Sequence, residues 1–180
     1  NRLFDSAHIM NMKIPFSKDE INKAQRAAVR ENKLPSAYLR PMVFYGSEAM
    51  GLRATGLKVH VIVAAWSWGA YMGKEALEVG IKVRTSSFTR HHVNISMTRA
   101  KANGNYINSM LALQEALSAG ADEAMLSDPE GYVAEGSGEN IFLVKDGVLY
   151  TPEVTACLNG ITRNAAITLA HDLGIKVVEK

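Results

Sequence analysis

A run of aromatic residues and glycines at 67–73, with neither a helical nor a strand period, constrains the fold of this chain most strongly. Two apolar strand patterns come before it, the second ending near Trp66, and strand and helix patterns resume after it. A segment of this kind connects domains or lines a pocket. The sequence therefore predicts an α+β fold in two parts, with a small domain at 1–64, an interdomain loop at 65–76 and a larger domain at 77–180.

The small domain begins with two predicted helices. The first covers residues 2–10 and carries Arg2 near its start, where the simplest interpretation is a solvated helix charge. Ser17 followed three positions later by Glu20 is a capping-box pattern, which predicts the start of a second helix that ends near Asn32.

A strand with a polar face is predicted at 36–45. A period of two puts Tyr38 and Arg40 on the same face, where a phenol beside a guanidinium suits a carboxylate ligand. The alternative is a half-exposed strand whose outer face is polar. Pro41 predicts an edge position or a strand end.

Lys101 lies between Ala100 and Ala102, two positions after Arg99 and five before Tyr106. Small neighbours let a planar ligand approach the backbone, and a nearby cation eases the loss of the lysine's proton. These conditions suit a lysine that condenses with an aldehyde, although most lysines are solvated surface charges.

A helix is predicted directly after this lysine, at 105–117. The residues that its period places on one face, and that we expect to be buried, are Ile107, Met110, Leu111, Gln114 and Leu117.

A glycine-punctuated loop at 133–142 holds Glu135 and Glu139 and leads into a strand. Asp146 and Gly147 then predict a hairpin turn. The loop lacks the lysine and serine or threonine that end a P-loop, which argues against nucleotide binding. Solvated acids in a turn-rich loop remain the alternative.

The last informative stretch begins a helix near Thr162, which we interpret as the N-cap. The backbone N–H groups of Ile161 and Thr162, the threonine hydroxyl and the helix dipole together predict an anion site. A capped surface helix is the alternative.

The composition of the chain excludes several classes of protein function. The 180 residues are 47% hydrophobic with a net charge of +2, and no basic run indicates nucleic-acid binding. No apolar stretch is long enough for a membrane span, and no signal-peptide pattern begins the chain. The single cysteine, Cys157, suits a reducing cytoplasm. His91 and His92 are adjacent and lack a third ligand at a suitable spacing, so no metal is predicted.

A lysine for an aldehyde, a carboxylate for a pyridine nitrogen and a helix N-terminus for a phosphate are what pyridoxal phosphate requires. Three stretches resemble the branched-chain amino-acid aminotransferases, which are fold-type IV pyridoxal phosphate enzymes: Ala100-Lys101-Ala102 with Asn105-Tyr106, Glu135-Gly136-Ser137-Gly138-Glu139-Asn140, and Asn159-Gly160-Ile161-Thr162-Arg163. The resemblance covers essentially the whole chain. Family members also have segments before Arg2 and after Lys180, so a fragment is expected.

The resemblance implies a role for each residue of the site. Lys101 would hold the cofactor covalently and then carry the proton between the substrate's α-carbon and C4′ of the cofactor. Tyr106 would hydrogen-bond the cofactor's phenolic oxygen, and Glu135 would keep its pyridine nitrogen protonated. The phosphate would be bound by Arg2, Ile161 and Thr162. The substrate side would be formed by Tyr38, Arg40 and Tyr71.

The resemblance further implies a small α/β domain, a larger barrel-like domain and a homodimer or larger homo-oligomer. The expected reaction transfers the amino group of Leu, Ile or Val to 2-oxoglutarate. Two alternatives stay open: a D-amino-acid aminotransferase or aminodeoxychorismate lyase of the same fold, and a truncated domain without catalytic activity.

Overall fold

The computed structural model describes residues 1–69, 72–73 and 75–180, which divide into two compact units, Asn1–Val79 and Gly80–Lys180. The first unit contains α1 (Arg2–Ile9), α2 (Lys18–Glu31), β1 (Tyr38–Tyr45), β2 (Val59–Trp66) and α3 (Glu75–Val79). The second contains β3 (Val83–Thr85), a 3₁₀ turn (Asn103–Asn105), α4 (Tyr106–Ser118), β4 (Glu123–Ser127), β5 (Val133–Gly136), β6 (Leu143–Lys145), β7 (Val148–Thr151), α5 (Ile161–Asp172) and β8 (Lys176–Glu179). The α+β prediction is confirmed.

The division between the units differs from the predicted domain limits. β2 continues to Trp66, so the first residues assigned to the interdomain loop belong to a strand. The second unit begins at Gly80, after the predicted end of that loop at 76. Tyr71, predicted to contact substrate, lies outside the described residues.

The first unit is a two-stranded antiparallel sheet with α2 packed on it. The capping box predicted for α2 is confirmed, since Glu20 N–H donates to Ser17 Oγ at 3.2 Å and Ser17 N–H donates to Glu20 Oε2 at 2.8 Å. Within the described residues β1 pairs with β2 alone, so Pro41 lies on an edge strand as predicted.

The core of the second unit lies between α4 and β4. It consists of Ala112, Ala116, Ala124 and Leu126, all fully buried. The predicted buried face of α4 is wrong: Ile107, Met110, Leu111 and Leu117 are 49–69% exposed. Alanines bring the helix close to the strand, so the small side chains, rather than the large apolar ones, define the packed face.

Two three-stranded sheets complete the second unit. β4 pairs in parallel with β3 and antiparallel with β5, while β6, β7 and β8 form the other sheet in that order. The hairpin predicted between β6 and β7 is confirmed, because Asp146 and Gly147 have φ angles of 51° and 73°, as a type I′ turn requires. None of the helices in the described ranges is both long and apolar enough to cross a membrane.

Candidate active site

Lys101 follows a short loop whose backbone accepts hydrogen bonds from the Asn105 side chain. The buried Asn105 side chain donates to the carbonyls of Met97 and Ala100 at 3.1 and 3.2 Å. The 3₁₀ turn then returns the chain, so the exposed Lys101 Nζ donates to Tyr106 Oη at 2.5 Å. Lys101 and Tyr106, which the sequence analysis assigned to the same site, are therefore in direct contact. Asn105 belongs to the first of the three sequence stretches, but its hydrogen bonds to the loop backbone were not predicted.

Glu135 is held in β5 as a buried carboxylate with two partners. Its side chain accepts from Arg90 Nε at 2.8 Å through Oε1 and from the Leu158 N–H at 3.1 Å through Oε2. Glu135 and Arg90 are only 7% and 5% exposed. A buried carboxylate needs such an opposite charge and hydrogen bonds to remain in the interior.

The electrostatics of Glu135 combine opposed effects. Burial raises the pKa of its carboxyl group above the usual range, while the Arg90 guanidinium, the Leu158 N–H and the charge of Lys101 act to lower that pKa. The sequence analysis did not predict Arg90 as a partner of Glu135; it considered Arg99 only as a cation near Lys101.

The N-terminus of α5 differs from the prediction in its cap. Gly160 is the N-cap, and Thr162 is the second residue of the helix, so the assignment of Thr162 as N-cap is wrong. No side-chain cap accepts from the first turn, and the first intrahelical bond runs from the Asn164 N–H to the Gly160 carbonyl at 3.0 Å. The N–H groups of Ile161 and Thr162 therefore lie before the first intrahelical bond, at the positive end of the helix dipole, where backbone N–H groups can bind an anion.

The helix is anchored by an arginine on its inner face. Arg163 is buried and donates through Nη2 to the Pro152 carbonyl at 2.8 Å and to Glu179 at 2.6 Å, which links α5 to β8. Leu158, which binds Glu135, lies only two residues before Gly160. The carboxylate and the helix N-terminus are therefore parts of one connected site.

Cys157 lies beside this connection. Its thiol is fully buried and donates to the Glu153 carbonyl at 3.2 Å. Burial, together with the negative charge of Glu135, raises the pKa of the thiol to about 11. The group is consequently an uncharged packing element of the site at neutral pH.

In the first unit, Tyr38 and Arg40 belong to an aromatic cluster. Tyr38 pairs with Trp66 across the two strands, with ring centroids 5.0 Å apart, and its ring lies 4.7 Å from that of Trp68. The Arg40 guanidinium lies 5.4 Å from the Tyr38 ring and 5.2 Å from the Trp66 ring. Among the described residues Arg40 forms no ion pair. The two tryptophans were missed.

Arg2 is the first residue of α1 in the first unit. Its assignment to the phosphate stays a prediction, as do the substrate roles of Tyr38, Arg40 and Tyr71.

Comparisons with known proteins agree with this arrangement. The sequence profile of the family described as amino-transferase class IV matches residues 1–180. The branched-chain-amino-acid aminotransferase of Pseudomonas aeruginosa is 82% identical over 180 residues, which are all of this chain and 59% of that protein.

Solved structures give the same result. The Escherichia coli branched-chain amino acid aminotransferase has a TM-score of 0.96 at 49% identity, covering 99% of this chain and 60% of that one. The Thermobaculum terrenum branched-chain amino acid aminotransferase, solved in its PLP-bound holo form, has a TM-score of 0.91 at 33% identity, covering 99% and 58%. The chain spans about three-fifths of the length of these relatives, and it belongs to the class IV aminotransferase family.

Proposed function

We propose that the protein is a pyridoxal phosphate-dependent aminotransferase that moves the amino group of branched-chain L-amino acids to 2-oxoglutarate. One observation carries the proposal: Lys101 Nζ lies 2.5 Å from Tyr106 Oη in the unit that also contains the Arg90–Glu135 pair. The names of relatives up to 82% identical support the branched-chain substrate class.

The residues of the second unit fit this cofactor. Lys101 offers an exposed amine for the aldehyde, and Tyr106 offers a hydroxyl beside it. Glu135 offers a carboxylate for the pyridine nitrogen. The uncapped N-terminus of α5 offers N–H groups for the phosphate. When bound, pyridoxal phosphate supplies the electron sink that makes the proton on the substrate's α-carbon acidic.

Each side chain then has a defined task. Lys101 would carry the proton between the α-carbon of the amino acid and C4′ of the cofactor. The Tyr106 hydroxyl accepts a hydrogen bond from Lys101 Nζ and would donate its own to the phenolic oxygen of the cofactor. Glu135 would hold the proton on the pyridine nitrogen, and Arg90, 2.8 Å away, favours the charged form of the Glu135 carboxyl group.

Substrate recognition is proposed for the first unit. Tyr38 and Tyr71 contribute aromatic surface for Leu, Ile and Val side chains. Arg40, which forms no ion pair within the described ranges, takes the second carboxylate of glutamate or 2-oxoglutarate. Arg2 adds a cation to the phosphate site.

We also propose a homodimer or larger homo-oligomer located in the cytoplasm. Sedimentation velocity of the purified protein tests the assembly. A single monomeric species across micromolar concentrations contradicts it.

The reaction is tested by incubating the purified protein with pyridoxal phosphate, L-leucine and 2-oxoglutarate and measuring L-glutamate. We expect turnover with L-leucine, L-isoleucine and L-valine. Turnover of D-alanine but not L-leucine, or release of pyruvate from aminodeoxychorismate without a 2-oxo acid acceptor, overturns the proposal in favour of a relative with different chemistry.

A further inference from the structure

Asn140 joins the two halves of the cofactor site. It forms an antiparallel bridge with Glu135, and its Nδ2 donates to the Leu158 carbonyl at 2.8 Å. The N–H of the same Leu158 donates to Glu135 Oε2 at 3.1 Å. Both main-chain polar groups of Leu158 are therefore bound by side chains, one from β5 and one from the loop that follows it, and the contacts close into a ring.

Gly160 gives this ring its close packing. Its φ of −70° and ψ of 140° are open to any residue, so the glycine is not required by its backbone conformation. A Cβ at this buried position would instead overlap Asn140 Oδ1. The absence of a side chain at the α5 N-cap therefore makes room for the Asn140 amide.

The loop that carries Asn140 is itself fixed. The Gly136 N–H donates to the Glu139 carbonyl at 2.7 Å, which turns the chain back one residue before Asn140. The Ser137 N–H also donates to the buried Glu123 side chain at 3.2 Å, which ties the loop to β4. Asn140 therefore contacts Leu158 from a turn that these two hydrogen bonds hold in place.

We propose that Asn140 is a positioning residue that, through Leu158, sets the distance between the Glu135 carboxylate and the N–H groups at the start of α5. The ligand that such a site would take carries a protonated ring nitrogen at one end and a phosphate monoester at the other. This inference rests on the proposed function for the identity of that ligand, but the ring of contacts exists in the protein alone.

The first test measures amide hydrogen exchange at Leu158 in the protein without cofactor. Asn140→Asp keeps the shape of the side chain but removes the donor and places a negative charge against the Leu158 carbonyl. We expect exchange at Leu158 to become about tenfold faster or more, as loss of a buried hydrogen bond implies. Asn32→Asp is the matched control, because Asn32 also donates to a carbonyl, that of Ala28 at 2.7 Å, in the other unit.

Unchanged exchange at Leu158 in a folded Asn140→Asp protein overturns the inference. If the Asn140→Asp variant does not fold, the same measurement is made on Gly160→Ala. The added Cβ displaces the Asn140 amide from the opposite side. Its control is Gly69→Ala, since a Cβ at Gly69 has no atom of the described residues within 4 Å. Equal exchange at Leu158 in the two glycine variants overturns the inference as well.

The second test compares pyridoxal phosphate with pyridoxal as ligands. Pyridoxal lacks the phosphate and cannot span both ends of the site. Asn140→Asp should therefore weaken binding of pyridoxal phosphate by about tenfold while changing the affinity for pyridoxal by less than about threefold. Equal weakening of both overturns the positioning role. Failure of the wild-type protein to bind either compound overturns the proposed function instead, and leaves the exchange result to decide the ring.

Discussion

The Arg90–Glu135 pair of the second unit is buried and fixed by hydrogen bonds, whereas Tyr38 and Arg40 of the first unit's aromatic cluster are exposed and make ring contacts. Arg90 meets a carboxylate at 2.8 Å in the interior, and Arg40 lies over two aromatic rings at the surface of its unit. Buried pairs depend on each partner, because a lone charge in the interior is costly. Exposed cation–π contacts are weaker and leave the guanidinium able to bind an anion. The difference suits a fixed catalytic region and an adaptable recognition region.

The largest expected effect is the loss of the catalytic amine. Lys101→Ala should lower the transamination rate by a factor of about 10² to 10⁴ or more, since a positioned acid–base group contributes that much. The free energy of unfolding should change by less than about 1 kcal/mol, because Lys101 is exposed. Urea denaturation and an L-leucine assay measure both quantities. Lys145→Ala, at another exposed lysine, is the control, and a retained rate in Lys101→Ala means that the wrong lysine has been assigned.

Removing the buried arginine tests whether the second unit depends on its ion pair. Arg90→Met leaves Glu135 buried without its cation and should cost about 3–5 kcal/mol of unfolding free energy. The matched control is Arg30→Met, because Arg30 pairs at 2.8 Å with Glu31 while both side chains are about 70% exposed. That surface pair should contribute less than about 1 kcal/mol. Equal costs in urea denaturation would remove the contrast between buried and exposed pairs.

The aromatic cluster should respond through substrate affinity alone. Arg40→Met should raise KM for 2-oxoglutarate by about tenfold, as loss of one charge-assisted hydrogen bond implies, and leave KM for L-leucine nearly unchanged. Trp66→Leu should raise the same KM by about two- to fivefold, the value of an exposed cation–π contact. Steady-state kinetics, with each substrate varied separately, measures the KM for 2-oxoglutarate and the KM for L-leucine. A lower kcat with both substrates contradicts a recognition role.

The smallest expected effect is a pH dependence near Glu135. Burial raises the pKa of the Glu139 carboxyl group above its ordinary value of 4.5, helped by the negative charges of Glu123 and Glu135. The folded protein therefore holds this proton more tightly than the unfolded chain. Its contribution to stability is fully present below pH 4.5 and is lost as pH rises through the higher folded pKa.

Glu139→Gln removes this titration, so its melting temperature relative to wild type should increase as the pH is raised from about 4.5 to about 8. Differential scanning calorimetry across that range measures the trend. Glu130→Gln, at an exposed glutamate of the same unit, is the control. A Glu139→Gln curve parallel to that of wild type refutes the assignment.

Local patterns predicted local structure well. The capping box at Ser17 and the hairpin at Asp146 depend on residues only one to three positions apart, and both formed as expected. The contact between Lys101 and Tyr106 crosses five positions and follows from the turn before α4. The anion site at the start of α5 was predicted from helix-start signals, and the cofactor roles of Glu135 and of that site from the family resemblance.

Contacts between residues far apart in the chain could not be predicted from local sequence patterns. Arg90 and Leu158 meet Glu135 from distant parts of the chain, and a charge or an amide in a sequence does not specify its partner. The face of α4 was mistaken because the helical period selected large apolar residues. Close approach to β4 instead selected Ala112 and Ala116.

The most direct measurement is borohydride reduction of the purified protein in the presence of pyridoxal phosphate, followed by mass mapping of its peptides. The account predicts a phosphopyridoxyl group on Lys101 and its absence after reduction of the Lys101→Ala variant. A modified lysine elsewhere, or no modification of the folded protein, would contradict the central claim that Lys101, Glu135 and the start of α5 form a pyridoxal phosphate site.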